Sequence, residues 1–427
     1  MGFAELGLGE KILKAIDEMG FKEPTPIQAK AIPVALMARD VLGLAQTGTG
    51  KTASFTLPMI EMLAGGRAKA RMPRSLILTP TRELAAQIAD NFDQFGKHHK
   101  LTKTLLTGGT SMNEQIKSLE QGVDVLIATP GRLLDLFNRG NIILADIKIL
   151  VIDEADRMLD MGFIPDLEKI VSLIPPLRQT LFFSATMPKA ITKLADQYLS
   201  NPKTIKVAAT SKPAENVEQF LVHLKSSKEK NDALKELIQQ ENVQNAFIFC
   251  NRKRDIDGVV KDLSKMGYQV DSIHGDIEQK YRTKTLDAFK KGEVSLLVCS
   301  DVVARGIDIS GVSHVFNYDV PINAEDYIHR IGRTGRAGKS GRAFMLVTSR
   351  DKKLLDNVEK LLKNPIKEIK LSGIEQPGKQ ENQKKSTSSK DTTKAPRKKR
   401  EDNAANDSIP NKKVKGFGGD MPDFFKA

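Results

Sequence analysis

The chain has 427 residues, which excludes one small module and corresponds to two or three domains at roughly 150 residues each. Lysine and arginine outnumber aspartate and glutamate by 66 to 53, giving a formal net charge of +13 and a pI near 9.4. Such a basic chain favours a polyanionic partner, nucleic acid first and an anionic membrane surface second. No apolar run approaches the ~18 residues of a membrane span, so we expect a soluble protein.

The N-terminus and the cysteines indicate the cellular compartment. Residues 1–16 lack a basic start, a long apolar stretch and a cleavage site, so we expect no signal peptide. Leu6 stands where N-myristoylation requires Ser or Thr. Cys250 and Cys299 lie in apolar runs typical of buried strands, which indicates inert thiols in a reducing compartment. We therefore expect a cytoplasmic location.

Short β-branched runs alternate with longer segments of helical period along the chain. This alternation predicts βαβ units and parallel sheets covered by helices, which is an α/β fold. The first predicted strands lie at residues 41–45, 75–80, 104–109, 124–130, 148–156 and 180–186. A second set lies at residues 220–224, 245–251, 269–275, 295–301, 314–319 and 342–348. Each set is sufficient for one sheet.

A polar stretch separates the two sets of strands. Residues 210–216 contain a proline and few apolar residues, so we place a linker there, between domain 1 (residues 1–209) and domain 2 (residues 217–373). Residues 374–427 are polar and have too few apolar residues for a core, which predicts a disordered basic tail that carries +5 of the net charge. The two halves show no fixed-period sequence repeat.

A glycine-rich segment follows the first predicted strand and precedes a segment of helical character. It comprises Ala45, Gln46, Thr47, Gly48, Thr49, Gly50, Lys51 and Thr52. In this context backbone N–H groups surround phosphate oxygens, Lys51 reaches the β and γ phosphates, and the Thr52 hydroxyl can bind Mg²⁺. The pattern predicts a nucleoside triphosphate site, with Ala45 in place of the usual first glycine. A glycine-rich turn without a ligand is the alternative.

An acidic tetrapeptide ends a continuously apolar strand further along the chain. The strand is typical of a parallel sheet covered on both faces, and Asp153-Glu154-Ala155-Asp156 follows it. At this position Asp153 can hold Mg²⁺ through water, while Glu154 can orient and deprotonate the attacking water. A solvated helix start is the alternative, but the upstream phosphate loop favours a nucleotidase.

Together with further segments in the same order, these motifs resemble the DEAD-box family of ATP-dependent RNA helicases. The segments are GFKEPTPIQ (20–28), PTREL (80–84), Gly108-Gly109, TPGR (129–132), SAT (184–186), FIFCN (247–251), Gln279 with Arg282, ARGID (304–308) and HRIGRTGR (329–336). The resemblance implies two tandem RecA-like domains, ATP with Mg²⁺, and RNA as the partner. The short basic tail is most similar to the RhlE-type bacterial branch.

The resemblance makes residues 20–28 an adenine-reading motif. A carboxamide can accept from N6 and donate to N7 of adenine, so Gln28 favours ATP over GTP, with Phe3 or Phe21 covering the ring face. An ordinary surface glutamine is the alternative interpretation of Gln28.

The resemblance also implies a second half of the catalytic site on domain 2. Arg333 and Arg336 would act as arginine fingers on the γ-phosphate, where such groups raise rates ~10³-fold or more. A solvated basic surface or RNA binding is the alternative for this pair. Further residues implied are Asp308 at the nucleotide and Ser184, Thr186 and His329 in coupling the domains.

An RNA groove assembled from both domains is implied in the same way. Its expected residues are Thr81, Arg82, Gly109, Thr129 and Arg132 in domain 1 and Asn251, Gly275, Asp276, Arg282 and Ser300 in domain 2. Small residues and hydroxyls suit contacts to phosphate and 2′-OH groups, so we expect weak sequence preference. Plain turns at the two glycines and salt bridges at Arg82 and Arg132 are the alternatives.

These features predict an RNA-stimulated ATPase with a monomeric core that separates short RNA duplexes locally and remodels RNA–protein complexes. An ATP-gated RNA clamp and a DNA helicase are the alternatives. The tail, with RKKR at 397–400 and NKKVK at 411–415, is expected either to tether RNA through counterion release or only to solubilise the chain.

Overall fold

Two seven-stranded sheets organise the chain in this computed structural model, which describes residues 2–46, 48–207, 216–304, 309, 311–335 and 340–372. Neighbouring strands within each sheet are parallel. We call the described residues up to 207 lobe 1 and those from 216 onward lobe 2. The two lobes confirm the tandem RecA-like α/β fold that the sequence indicates.

Lobe 1 contains the first sheet and its covering helices. Its strands are β1 (Val41–Leu44), β2 (Ser75–Leu78), β3 (Lys103–Leu106), β4 (Val125–Ala128), β5 (Ile149–Ile152), β6 (Gln179–Ser184) and β7 (Lys203–Lys206). Its α-helices are α1 (Glu10–Glu18), α2 (Pro26–Leu36), α3 (Lys51–Leu63), α4 (Arg82–Phe95), α5 (Met112–Gln121), α6 (Pro130–Asn138), α7 (Ala155–Asp160), α8 (Ile164–Ser172) and α9 (Lys189–Tyr198). A short 3₁₀ helix, Phe3–Leu6, precedes them.

Lobe 2 contains the second sheet. Its strands are β8 (Val217–Leu224), β9 (Ala246–Phe249), β10 (Val270–Ile273), β11 (Leu296–Cys299), β12 (His314–Asn317), β13 (Gly341–Thr348) and β14 (Lys367–Glu368). Its α-helices are α10 (Lys230–Gln240), α11 (Lys253–Lys265), α12 (Gln279–Lys290), α13 (Asp301–Ala304), α14 (Ala324–Ile331) and α15 (Lys352–Leu362). Two 3₁₀ turns, Ser227–Glu229 and Ser349–Asp351, lead into α10 and α15.

Both sheets have the same connectivity. The strand order is β3-β4-β2-β5-β6-β1-β7 in lobe 1 and β10-β11-β9-β12-β13-β8-β14 in lobe 2. Counting strands from the start of each lobe, these two orders are identical. The halves therefore share an architecture although they show no fixed-period sequence repeat.

The central strands are apolar throughout because helices cover both faces of each sheet. In β5, Val151 packs in one core cluster, whereas its neighbours Leu150 and Ile152 pack in the cluster on the other face. Cys250 and Cys299 likewise belong to opposite clusters of lobe 2, and burial raises the pKa of both thiols. Both cysteines are thus buried free thiols, as expected from the sequence.

Two of the four edge strands, β7 and β14, are the strands that the sequence did not predict. Strand β7 exposes three of its four residues and β14 exposes both of its residues. Such short edge strands bury too little apolar surface to require a β-branched run, so their sequences resemble loops.

Residues 208–215 of the expected linker region and the tail at 374–427 lie outside the described residues. Within the described residues no helix is long and apolar enough to cross a membrane.

Candidate nucleotide site and nucleic-acid interface

The phosphate loop connects the end of β1 to the start of α3. Gly48 and Gly50 have φ angles of 83° and 89°, left-handed values that glycine adopts without the strain of a Cβ. Thr49 Oγ1 donates to the carbonyl oxygen of Gln46 at 2.7 Å, which closes the turn. Lys51 is the first residue of α3, so backbone N–H groups of the helix start face the loop. Thr47 lies outside the described residues.

Lys51 and Asp153 are both buried beside this loop and interact electrostatically. The Lys51 Nζ is buried, and no hydrogen-bond acceptor for it is found among the described residues. Burial raises the pKa of Asp153 to about 7, although the Lys51 charge opposes this shift. A buried lysine ammonium group without an acceptor suits a phosphate, and a buried carboxylate that is unfavourable to ionise suits a divalent cation. Thr52 provides the adjoining hydroxyl.

The acidic tetrapeptide turns sharply from β5 into α7. Glu154 has a φ of 54°, and its backbone N–H donates to Asp153 Oδ1 at 3.0 Å. The Glu154 carboxylate lies 2.9 Å from the Arg157 guanidinium, and both side chains are almost fully buried. The left-handed residue thus brings the first two carboxyl groups together at the end of β5.

The last residue of the tetrapeptide contacts the SAT segment at the end of β6. Asp156 Oδ2 accepts hydrogen bonds from the backbone N–H groups of Ala185 at 3.1 Å and Thr186 at 2.8 Å. Ser184 Oγ donates to the Thr186 carbonyl oxygen at 2.7 Å. One buried carboxylate therefore joins the SAT segment to the tetrapeptide.

Gln28 contacts the phosphate loop directly. Its Oε1 accepts from the Thr25 N–H at 2.9 Å, and its Nε2 donates to the Gly50 carbonyl oxygen at 3.2 Å. Phe3, expected to cover the adenine ring, packs instead in the lobe 1 core. Phe21 keeps half of its surface exposed beside Phe95, so it is the aromatic ring of the two that is open to a ligand.

The candidate arginine finger in lobe 2, Arg333, is buried two residues beyond the end of α14. Arg333 and His329 line a small pocket together with Asp301 and Asp326. The Arg333 carbonyl oxygen accepts from the N–H groups of Gly311 and Val312, which fixes its backbone. Arg336 and Asp308 lie outside the described residues.

The expected RNA-binding residues follow equivalent strands in the two lobes. Thr81 and Arg82 follow β2, Gly109 follows β3, and Thr129 and Arg132 follow β4. In lobe 2 the corresponding positions after β9, β10 and β11 are Asn251, Gly275 with Asp276, and Ser300. In each sheet these three strands are adjacent, so the carboxyl ends of each trio lie together. The phosphate loop, the acidic tetrapeptide and the SAT segment of lobe 1 follow β1, β5 and β6, which form the neighbouring part of its sheet.

In lobe 1 the loop after β3 packs against the start of α4. Gly109 has a φ of 77°, and a Cβ there would collide with the Arg82 guanidinium. Thr81 Oγ1 caps α4 by accepting from the Leu84 N–H at 3.3 Å. The Arg132 guanidinium donates to the Gln115 side-chain oxygen at 3.2 Å. Both candidate arginines therefore lie near the glycine loop, and Arg132 is held by its hydrogen bond to Gln115.

In lobe 2 a buried arginine joins the candidate strand ends. Arg330 donates to both Asp301 carboxylate oxygens at 2.6 Å and to Asn251 Oδ1 at 2.9 Å. It also donates to Asn317 Oδ1 at 3.2 Å and to the Asp319 carbonyl oxygen at 2.6 Å, so all five guanidinium N–H groups are used. This network fixes Asn251 and the segment that begins with Ser300.

The remaining lobe 2 candidates differ in their surroundings. Exposed Asp276 accepts from Lys253 at 2.5 Å, and this contact lowers the pKa of the carboxyl group. Gly275 is exposed beside the same lysine. Arg282, expected at the RNA, is buried in this structure and forms an ion pair with Glu83 of lobe 1.

Four of these side chains were not singled out from the sequence: Glu83, Gln115, Arg157 and Arg330. Arg330 lies within HRIGRTGR and Glu83 within PTREL, so the motifs contained them without revealing their partners. Gln115 and Arg157 have no signal in the sequence beyond a helical position. Their importance follows only from contacts made in the fold.

Lobe 1 by itself has the parts of a nucleoside triphosphatase, because the phosphate loop and the acidic carboxylates meet at one edge of its sheet. The fold and site define a two-lobed P-loop nucleoside triphosphatase. Residues 25–194 match the DEAD/DEAH box helicase family, and residues 229–338 match the helicase conserved C-terminal domain. The chain belongs to the DEAD-box family of ATP-dependent RNA helicases.

Individual relatives support the same assignment. The DEAD-box ATP-dependent RNA helicase CshA of Geobacillus kaustophilus is 43% identical over 86% of this chain and 78% of that protein. CshA of Bacillus subtilis is 40% identical over 86% of this chain and 74% of that protein. The structure of S. cerevisiae Dbp5 bound to RNA and ADP BeF3 is similar with a TM-score of 0.76, at 33% identity over 86% of this chain and 95% of that one.

Proposed function

We propose that this helicase separates short RNA duplexes locally, without translocation, and remodels RNA–protein complexes. ATP binding would close the two lobes on a single strand, and hydrolysis would release it. The observation that carries this proposal is the ion pair between Glu83 and Arg282, which joins the RNA-side strand ends of the two lobes. A strand bound across both lobes would have to adopt a shape that suits the protein, and its duplex partner would be displaced over a few base pairs.

The proposed catalytic roles follow the geometry of lobe 1. Lys51 binds the β and γ phosphates, and Thr52 and Asp153 hold Mg²⁺, which would supply charge neutralisation at the phosphates. Glu154 orients and deprotonates the attacking water. Arg333 and Arg336 of lobe 2 stabilise the charge that develops on the γ-phosphate. Gln28 reads adenine while contacting the phosphate loop, and Phe21 covers the ring.

The RNA would contact equivalent loops in both lobes. The residues proposed are Thr81, Arg82, Gly109, Thr129 and Arg132 with Asn251, Gly275, Asp276, Arg282 and Ser300. Hydroxyls, glycines and arginines at strand ends suit the sugar–phosphate backbone, so sequence preference would be weak. The domain limits at residues 209 and 217, a cytoplasmic location and a monomeric core belong to this proposal. The RhlE-type branch stays a prediction, because the relatives described above carry the name CshA.

Release of a labelled strand from short RNA and DNA duplexes tests the proposal. The duplexes are incubated with ATP, with a nonhydrolysable analogue, or without nucleotide. RNA strand release that needs ATP and falls steeply as the duplex is lengthened supports local separation. Release that is independent of duplex length would contradict it. Long-lived RNA binding without strand release would favour an ATP-gated clamp, and equal activity on DNA would favour a DNA helicase.

A further inference from the structure

Gln115 is a buried glutamine at the fourth position of α5, and its side chain makes three hydrogen bonds. Its Nε2 donates to the Thr107 carbonyl oxygen at 3.1 Å and to Thr110 Oγ1 at 2.6 Å. Its Oε1 accepts from the Arg132 guanidinium at 3.2 Å. The side chain is 6% exposed, so a polar group here needs all of these partners to offset its desolvation.

The orientation of this carboxamide is determined by its neighbours. Arginine can only donate hydrogen bonds, so the atom facing Arg132 must be the oxygen. The nitrogen then faces the Thr107 carbonyl and the Thr110 hydroxyl, which itself donates to the Thr107 carbonyl at 3.0 Å. Both amide hydrogens are used, and Gln115 has no free donor left to offer to a ligand.

The three partners of Gln115 belong to two segments that are separate in sequence. Thr107 and Thr110 flank the Gly108-Gly109 turn that follows β3, and the Arg82 guanidinium lies against that turn. Arg132 lies in α6, the helix that follows β4. One buried carboxamide thus fixes the glycine turn and an arginine relative to each other at the RNA-side edge of lobe 1.

We propose that Gln115 is a positioning residue for RNA binding: it holds the Gly108-Gly109 turn and the Arg132 guanidinium in the arrangement that an RNA backbone requires. The proposal rests on the RNA contacts proposed above for lobe 1. Without Gln115 the Arg132 guanidinium would keep only its longer contact of 3.5 Å to the Thr110 carbonyl oxygen. More of the ordering of Arg132 would then have to come from the RNA, and the free energy of that ordering would be lost from binding.

Gln115→Met is the main test because methionine matches the length of glutamine but makes none of the three hydrogen bonds. We expect RNA affinity to fall about tenfold, the loss typical of hydrogen bonds to a charged group. The slope of log affinity against log salt concentration should become less negative by about 1, the change expected for the loss of one phosphate contact. ATP affinity and RNA-independent ATPase activity should stay at the wild-type level. Gln121→Met, at an exposed position of the same helix, is the matched control.

Two further variants separate positioning from a loss of folding. Thr110→Val removes one exposed partner without creating a buried cavity, and it should weaken RNA binding less than Gln115→Met does. Gln115→Glu keeps an acceptor for Arg132 but loses both donors to the turn, so its affinity should lie between wild type and Gln115→Met. The melting temperature of each variant shows whether its loss of RNA affinity is caused by a loss of stability. Equal salt slopes of RNA binding in wild type and Gln115→Met would overturn the proposal.

Arg132→Ala distinguishes failure of this inference from failure of the proposed RNA site. If Arg132→Ala weakens RNA binding and Gln115→Met behaves like Gln121→Met, Gln115 does not position the arginine, and the RNA site stands. If Arg132→Ala leaves RNA binding unchanged, the RNA role of this part of lobe 1 is wrong, and the inference fails with it. In the double variant Gln115→Met with Arg132→Ala, we expect little more loss than in Arg132→Ala alone.

Discussion

The carboxylate of Glu83 in lobe 1 forms an ion pair with the guanidinium of Arg282 in lobe 2, and both side chains are almost fully buried. Gln279 Nε2 also donates to Glu83 Oε1 at 3.2 Å. The Cβ of Gln279 lies 3.6 Å from the position that a Cβ at Gly109 would occupy. The starts of α4 and α12 therefore meet beside the glycine turn that is proposed to contact RNA.

Glu83→Gln should loosen this contact between the lobes, because it leaves the buried Arg282 charge without a partner. We expect at least about tenfold weaker RNA binding in the presence of ATP, and a smaller closed population by fluorescence transfer between labels on the two lobes. Arg282→Gln completes a double-mutant cycle. A coupling free energy near zero would show that the ion pair does not hold the lobes together.

Glu154→Gln should retain ATP and RNA binding but abolish hydrolysis, because a carboxamide cannot accept the proton of the attacking water. The expected fall in RNA-stimulated turnover is about 10²-fold or more. Glu114→Gln, at an exposed position of α5, is a suitable control. Phosphate release is the measurement, and turnover near the wild-type rate would remove Glu154 as the general base.

Arg333→Ala should leave ATP affinity of the open form unchanged while reducing RNA-stimulated turnover by about 10³-fold. The reason is that, in the proposed mechanism, lobe 2 supplies this arginine and it acts only when charge develops during phosphoryl transfer. Arg342→Ala, on β13 of the same lobe, controls for loss of a positive charge. An unchanged turnover rate would mean that the two lobes do not share one catalytic site.

Asp153 should make the stability of lobe 1 depend on pH. Burial raises its pKa from the ordinary 3.8 to about 7, so the folded protein holds this proton more tightly than the unfolded chain does. The stabilising contribution of the protonated form is complete below the unfolded pKa and is lost as pH rises through the folded pKa. Urea midpoints of wild type and Asp153→Asn should diverge progressively from about pH 5 up to the folded pKa of about 7 and then differ by a constant amount. Parallel curves would contradict the shift.

Arg330→Lys should destabilise lobe 2 strongly although the charge is kept. Lysine has three donors on one nitrogen, so it cannot replace the five N–H groups of the planar guanidinium, which bind Asp301, Asn251 and two oxygens at the end of β12. We expect a loss of about 3–5 kcal/mol in the free energy of unfolding, the range for breaking a buried ion pair. Arg342→Lys, whose side chain is 38% exposed, should cost less than about 1 kcal/mol. Similar urea midpoints for the two variants would show that the five-bond network is not stabilising.

Local patterns were sufficient to predict most strands of the two sheets and to single out the phosphate loop and the acidic tetrapeptide as candidates. The phosphate loop and the acidic tetrapeptide each lie within one turn between a strand and a helix, so adjacent residues carry the signal. The contacts of Arg330 and Glu83 could not be predicted in this way. Arg330 meets Asn251 across 79 residues, and Gln279 meets Glu83 across 196 residues. Periodicity and propensity contain no information on which distant side chains meet at an edge of a sheet.

Gln28 illustrates the same limit at shorter range. The sequence identified a carboxamide suited to adenine, whereas the structure adds its hydrogen bond to Gly50 in the phosphate loop. Phe3 is one of the two aromatic residues expected at the adenine ring, and the structure adds that it packs in the lobe 1 core. Burial is a property of the whole fold, and a single position in the sequence does not reveal it.

The identical strand order of the two sheets has an evolutionary consequence. A gene for one α/β unit that was duplicated and fused would produce this tandem, with two copies of every strand end. The first copy has the glycine-rich phosphate loop after β1, whereas the corresponding loop after β8 reads KSSKE and contains no glycine. Divergence of the copies would thus account for the proposed division of roles, with the phosphates bound by lobe 1 and the catalytic arginines supplied by lobe 2.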